Sequence, residues 1–140
     1  MERALRRFSR AGEHGFFWYA LAGLCGVIDR DRAGLYRRAA WSVLLAFCAN
    51  QFVKLFVRRR RPRVEGLPPL IATHSNRSYP SAHAATSFAA AQSLSAALPA
   101  APLYVCAAGM ALTRPYLGVH YPSDTLAGAG LGWATARLLS

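Results

Sequence analysis

Apolar residues fall in five blocks along the chain, 16–28, 39–57, 81–98, 101–113 and 125–139. The first and fourth carry no charge; the second has only Lys54, the third none beyond His83, the fifth only Arg137. Short loops bearing Pro and Gly join them, so the pattern predicts five helices. Only 39–57 approaches the roughly 20 residues that cross about 30 Å of hydrocarbon. Each of the others alone would suit the buried helix of a soluble bundle. Together, with so little charge in them, they predict an all-α, polytopic transmembrane bundle of about five helices. The Ala, Gly and Ser richness of the last three agrees, because small residues let membrane helices approach closely. A soluble helical bundle is the rival reading.

Composition sharpens the choice. Hydrophobic residues make up 54% of the 140 and charged residues 16%, against a typical charged share of about 25%. Such apolarity excludes intrinsic disorder. The length suits one domain, 1–140. Lys and Arg number 17 against 6 Asp and Glu, net +11, which suits a nucleic-acid binder or a membrane protein with basic flanks. The run Arg58-Arg59-Arg60-Arg61-Pro62-Arg63 follows directly on an apolar block. No zinc finger, RNP-like motif or interleaved aromatics accompany it. It therefore reads as a juxtamembrane collar, and no nucleic-acid partner is expected.

Residues 1–15 form a basic leader with Arg3, Arg6, Arg7 and Arg10. No small-x-small site closes the apolar run after it, so an uncleaved first helix is expected. His14 is expected at the surface. Cys25, Cys48 and Cys106 are an odd, scattered set, which predicts small buried hydrophobes rather than disulfides or zinc.

Three polar clusters interrupt the apolar pattern. Lys54 and Arg61 are two helical turns apart and share a face if the second helix continues that far. Arg58 also lies on the Lys54 face and is the alternative to Arg61. Tyr79-Pro80-Ser81-Ala82-His83 opens the third block, with Ser81 the N-cap candidate. Thr113-Arg114 closes the fourth block, and His120 and Asp124 lead into the fifth. If successive helices are antiparallel, all these ends meet on one side of the bundle. Three fixed cations and a helix N-terminus suit a phosphate dianion. Asp124, four after His120, is placed to accept the proton on His120 Nδ1, leaving Nε2 free to attack. His74, Arg77 and Arg58 are candidates for contact with a substrate headgroup, against solvated loop positions.

Lys54…Arg61-Pro62, Pro80-Ser81-Ala82-His83 and Thr113-Arg114…His120…Asp124 resemble the three signature motifs of the type-2 phosphatidic acid phosphatase superfamily, whose site vanadium haloperoxidases share. The match covers 54–124, in order and with matching spacing. Two positions depart from the pattern: Ala82 stands for the usual glycine and Thr113 for the usual serine. The resemblance implies His120 as nucleophile, forming a phosphohistidine, Asp124 as its orienter and His83 as general acid. It implies Lys54, Arg61, Ser81, Ala82 and Arg114 as the phosphate site. No metal or cofactor is expected, since three cations can neutralise a phosphoryl group.

If five helices span, the leader shares the site's side, and that side keeps the excess of Lys and Arg after the phosphate ligands are set aside. The positive-inside rule then predicts a plasma-membrane protein with a cytoplasmic site. Brevity, Ala/Arg-rich composition and the PSAH box are similar to the actinobacterial branch of the superfamily that acts on decaprenylphosphoryl-5-phosphoribose. Undecaprenyl diphosphate or phosphatidylglycerophosphate is the alternative substrate. A non-enzymatic basic membrane adaptor is the alternative of another class.

Overall fold

The computed structural model describes residues 2–63, 66, 68–73 and 75–139. Among these the regular structure is helical. The six α-helices are α1 (Glu2–Ala11), α2 (Phe16–Ile28), α3 (Ala33–Phe56), α4 (Ala82–Leu94), α5 (Ala100–Tyr116) and α6 (Pro122–Leu138). All five predicted blocks are helices, α2 with the predicted bounds. The sixth helix is the leader itself, whose arginine content hid a helix with an inward face. α3 begins six residues earlier than its apolar block, because Tyr36 and Ala39 already face the core.

Burial is inverted relative to a water-soluble bundle. α4 is the central helix, and it buries Ala84, Ala85, Ala89, Ala90 and Ala91. Large apolar side chains point outward instead, among them Ile28, Trp41, Phe52, Phe56, Val105, Leu112 and Leu126. Outward Phe and Leu over an Ala-lined interior suit hydrocarbon, where close helix approach rather than apolar burial drives packing. Arg30–Phe56, 27 residues, is the one described helical segment long and apolar enough by itself to cross a membrane. Cys25 and Cys106 are half-buried, but Cys48 is exposed on the outer face of α3, against expectation.

The tightest seam joins α4 to α6. Cβ atoms added at Gly128 and Gly132 would overlap the carbonyl oxygens of Ser81 and Ala85 respectively. The two glycines lie one turn apart and let the α4 backbone rest directly on α6. Elsewhere α4 is pinned by the Trp18 indole N–H, which donates to Ser87 Oγ at 2.9 Å, and by Ser93 to Ser42 at 2.8 Å. The turn from α1 to α2 needs left-handed backbone at His14 (φ 52°) and Gly15 (φ 81°). A side chain at Gly15 would also strike Val43.

Candidate active site

The antiparallel order brings the end of α3, the start of α4, the end of α5 and the start of α6 to one end of the bundle. There they surround a cavity of about 670 Å³. Lys54, Arg61, Ala82, His83, Arg114 and His120 line it. Lys54 and Arg114 are buried, at 7% and 6% exposure. Lys54 therefore does not snorkel to the surface. α3 stops at Phe56, so Lys54 and Arg61 do not share a helix face; the following loop returns Arg61 to the cavity.

Arg61 reaches His120 directly. Its Nε donates to the Ser75 carbonyl at 2.7 Å, and its Nη1 donates to the Val119 carbonyl at 2.7 Å and lies 3.2 Å from His120 Nε2. A guanidinium only donates, so Nε2 is the acceptor and the neutral ring carries its proton on Nδ1. Burial pushes the His120 pKa well below the ordinary imidazole value, and Arg61, Arg114, Lys54 and His83 push it further. The ring is therefore neutral, with its lone pair at Nε2.

Asp124 is fully buried and 3.7 Å from His120 Nδ1, an electrostatic contact rather than a hydrogen bond. Nδ1 itself has no hydrogen-bond partner among the described residues. The two do not share a helix face, because α6 begins at Pro122, after His120, so the expected bond from Nδ1 to Asp124 is not made. Asp124 is engaged elsewhere. One oxygen accepts from Arg59 at 2.9 Å, and the other accepts the Tyr121 N–H at 2.9 Å as the acidic half of a capping box. Arg59 also donates to Ser123 Oγ at 2.8 Å and covers the Tyr121 ring at 4.0 Å. Sequence reasoning grouped Arg59 with the collar. Its partner lies 65 positions away, and no periodicity marks it.

Ser81 is the N-cap residue of α4, as expected, but its side chain makes no capping bond. It does not line the cavity: its Oγ is buried with no hydrogen-bond partner among the described residues, while its N–H donates to the Asp124 carbonyl at 2.9 Å. The Ser81 backbone thus ties the start of α4 to the start of α6.

The headgroup candidates are placed differently from the expectation. Arg77 donates to the Lys54 carbonyl at 2.9 Å and so caps the end of α3. Arg58 is exposed, and among the described residues it reaches the Leu55 carbonyl, at 3.5 Å. Neither lines the cavity, which leaves Arg61 as the cation at His120. His74 lies outside the described residues.

The leader supplies what the motifs do not show. Ser9 on α1 is buried; its Oγ accepts from Arg114 Nη1 at 2.6 Å, and its carbonyl accepts from His83 Nε2 at 3.0 Å. Because a carbonyl only accepts, His83 carries a proton on Nε2, the opposite arrangement to His120. His14 is exposed, as expected, and it also lines the cavity mouth and packs edge-on against Phe47.

An all-helical bundle with three cations and two oppositely protonated imidazoles around one cavity defines a class, helical proteins built to handle a phosphate-like oxyanion. Residues 35–140 match the family model described as the PAP2 superfamily, and the chain belongs to that superfamily. It is 39% identical over 132 residues to the decaprenylphosphoryl-5-phosphoribose phosphatase of Mycobacterium tuberculosis strain CDC 1551, covering 91% of this chain and 72% of that protein. It is 37% identical over 125 residues to the protein of the same name from Mycolicibacterium smegmatis, covering 88% and 68%. Aquifex aeolicus LpxE has a similar fold, with a TM-score of 0.84 at 24% identity over 99% of this chain and 84% of that one. So does the transmembrane PAP2-type phosphatidylglycerolphosphate phosphatase of Bacillus subtilis, at 0.81 and 23% over 99% and 74%. The protein is a membrane phosphatase of this superfamily.

Proposed function

We propose that the protein removes the 5-phosphate from decaprenylphosphoryl-5-phosphoribose through a phosphohistidine on His120. The carrying observation is the contact between His120 Nε2 and Arg61, which marks Nε2 as the unprotonated nitrogen of a neutral ring in a cavity that Lys54, Arg61 and Arg114 also line. The substrate class comes from the two mycobacterial relatives.

In the first step His120 Nε2 forms a bond to phosphorus. The bond to the ribose oxygen breaks, and His83, neutral at rest and taking up a proton with the incoming phosphate dianion, gives that oxygen its proton. Lys54, Arg61 and Arg114 hold the phosphoryl oxygens together with the amides that open α4 near Ala82. Asp124 opposes the charge that develops on His120. In the second step water attacks phosphorus and passes a proton to His83. The N–P bond breaks, and inorganic phosphate leaves with both histidines restored. Three cations supply the charge neutralisation that a metal would otherwise provide.

The site end of the bundle also carries α1 and the basic run after α3. We place this end in the cytoplasm, with the helices crossing the plasma membrane in several passes.

The test is phosphate release by the protein in lipid vesicles containing EDTA. Decaprenylphosphoryl-5-phosphoribose, undecaprenyl diphosphate and phosphatidylglycerophosphate are offered separately, with His120→Ala alongside. Release from the first, abolished in the variant, is expected. Preference for another lipid overturns the substrate. Activity that survives His120→Ala overturns the nucleophile, and loss in EDTA overturns the three-cation mechanism.

A further inference from the structure

Five cations, Arg6, Arg10, Lys54, Arg61 and Arg114, line the cavity against one carboxylate, Glu13, which leaves more positive charge than one phosphomonoester dianion uses. Lys54, Arg61 and Arg114 stand around His120 and match a dianion. Arg6 and Arg10, one turn apart on α1, line the same cavity from another wall. They stand on α1, a different helix from those that carry Lys54, His83 and Arg114. α1 is held in place, since Ser9 lies between the two arginines in sequence and bonds to both Arg114 and His83. Arg6 pairs with Glu2 along α1, whereas Arg10 forms no salt bridge among the described residues. At about 670 Å³ the cavity is in the range of sites for whole small molecules rather than for a lone phosphate.

We propose that Arg6 and Arg10 form a second anion subsite, which takes a phosphodiester carried by the substrate while its terminal monoester sits among Lys54, Arg61 and Arg114. This rests on the monoester binding at His120, as proposed above. The subsite selects lipids that carry two phosphates separated by a sugar or glycerol, and it gives no advantage to a lipid with a single monoester. Guanidinium pairs suit this task because they bind phosphate oxygens in a fixed fork geometry.

Bilayer attraction is the competing use of α1, and the same helix provides the control. All four arginines are exposed, but Arg3 and Arg7 do not line the cavity. R3Q/R7Q therefore removes the same charge from the same helix without touching the subsite. Both double variants are assayed in zwitterionic nanodiscs. Decaprenylphosphoryl-5-phosphoribose and phosphatidylglycerophosphate each carry a monoester and a diester; phosphatidic acid carries a monoester only.

For R6Q/R10Q, KM is expected to rise roughly tenfold or more for the two diester-bearing lipids, with kcat within about twofold and phosphatidic acid unaffected. R3Q/R7Q is expected to leave all three unchanged. An equal rise for phosphatidic acid, an equal effect of R3Q/R7Q, or no rise at all overturns the subsite. Equilibrium binding of the same lipids to His120→Ala and to its R6Q/R10Q derivative reads the subsite even without turnover. If wild type ignores the phosphoribose lipid but cleaves phosphatidylglycerophosphate, the substrate reading fails. The subsite is then judged by phosphatidylglycerophosphate against phosphatidic acid.

Discussion

Gly128→Ala tests whether the α4–α6 seam sets the site geometry. The added Cβ would overlap the Ser81 carbonyl oxygen and come within 3.1 Å of Ala84 Cβ and 3.2 Å of Ser81 C. Ordinary Cβ contacts lie at 3.4–4 Å, and backbone cannot swing aside as a flexible side chain can. α6 must therefore retreat from α4 by about 1 Å, a separation that forfeits much of the local packing attraction. Overpacking costs about 1–3 kcal/mol, offset by about 1 kcal/mol from replacing a helical glycine. The net effect is a loss of up to about 2 kcal/mol. The same retreat stretches the 2.9 Å bond from the Ser81 N–H to the Asp124 carbonyl, which couples the helix starts bearing His83 and Asp124. A misplacement of about 1 Å can cost up to about 100-fold in rate, so kcat/KM is expected to fall roughly 10- to 100-fold. Gly130 is the control, because nothing lies within 4 Å of its added Cβ. Thermal unfolding and phosphate release in nanodiscs read both variants. Wild-type stability and rate in Gly128→Ala, or equal damage from Gly130→Ala, would refute the reasoning.

Three further predictions follow from individual contacts. Arg59→Gln removes the charged partner of fully buried Asp124; the cost should sit near the lower end of about 1.5–3 kcal/mol, because Arg59 is itself partly exposed, and the unfolding midpoint measures it. Ser9→Ala leaves Arg114, whose Nε already lacks a partner among the described residues, without its Oγ acceptor; kcat/KM should drop about tenfold and recover in Ser9→Thr, as steady-state kinetics will show. A depressed His120 pKa means that the folded ring stays neutral as pH falls through 6.5, where the unfolded ring takes up a proton. Nitrogen-15 spectra of ring-labelled protein, assigned with His120→Gln, should show a neutral His120 at pH 5.5; a protonated ring there would contradict the burial argument.

What was legible in the sequence depended on how each feature is encoded. Helix positions follow from local apolarity, so 16–28 matched α2 at both ends. The convergence of Lys54, Arg61, Arg114 and His120 followed from motif spacing and antiparallel order alone. The partners of these residues were not visible in the same way. Ser9 is an ordinary serine in a run of arginines, and its importance lies in a contact with Arg114 across 105 positions. Arg59 is one of several consecutive arginines, and only the loop's path selects it for Asp124. Arg77 was open between a headgroup contact and a solvated loop position, because its role, capping the α3 carbonyl of Lys54, has no local signature. Gly128 and Gly132 were read as small residues favourable to packing, but only the fold shows that they face the backbone of α4.

The bond between Ser9 and Arg114 gives the enzyme a temporal property. A membrane chain emerges from its N-terminus, so α1 is made long before its partners exist. Its serine waits through the synthesis of four more helices before Arg114 is available. His120 arrives later still, and Asp124 last. Loop-closure entropy rises only slowly with separation, so the delay costs little in final stability. If His120 and Asp124 act as proposed, a chain halted at the end of α5 lacks both groups, and hydrolysis reports that α1, α5 and α6 have come together.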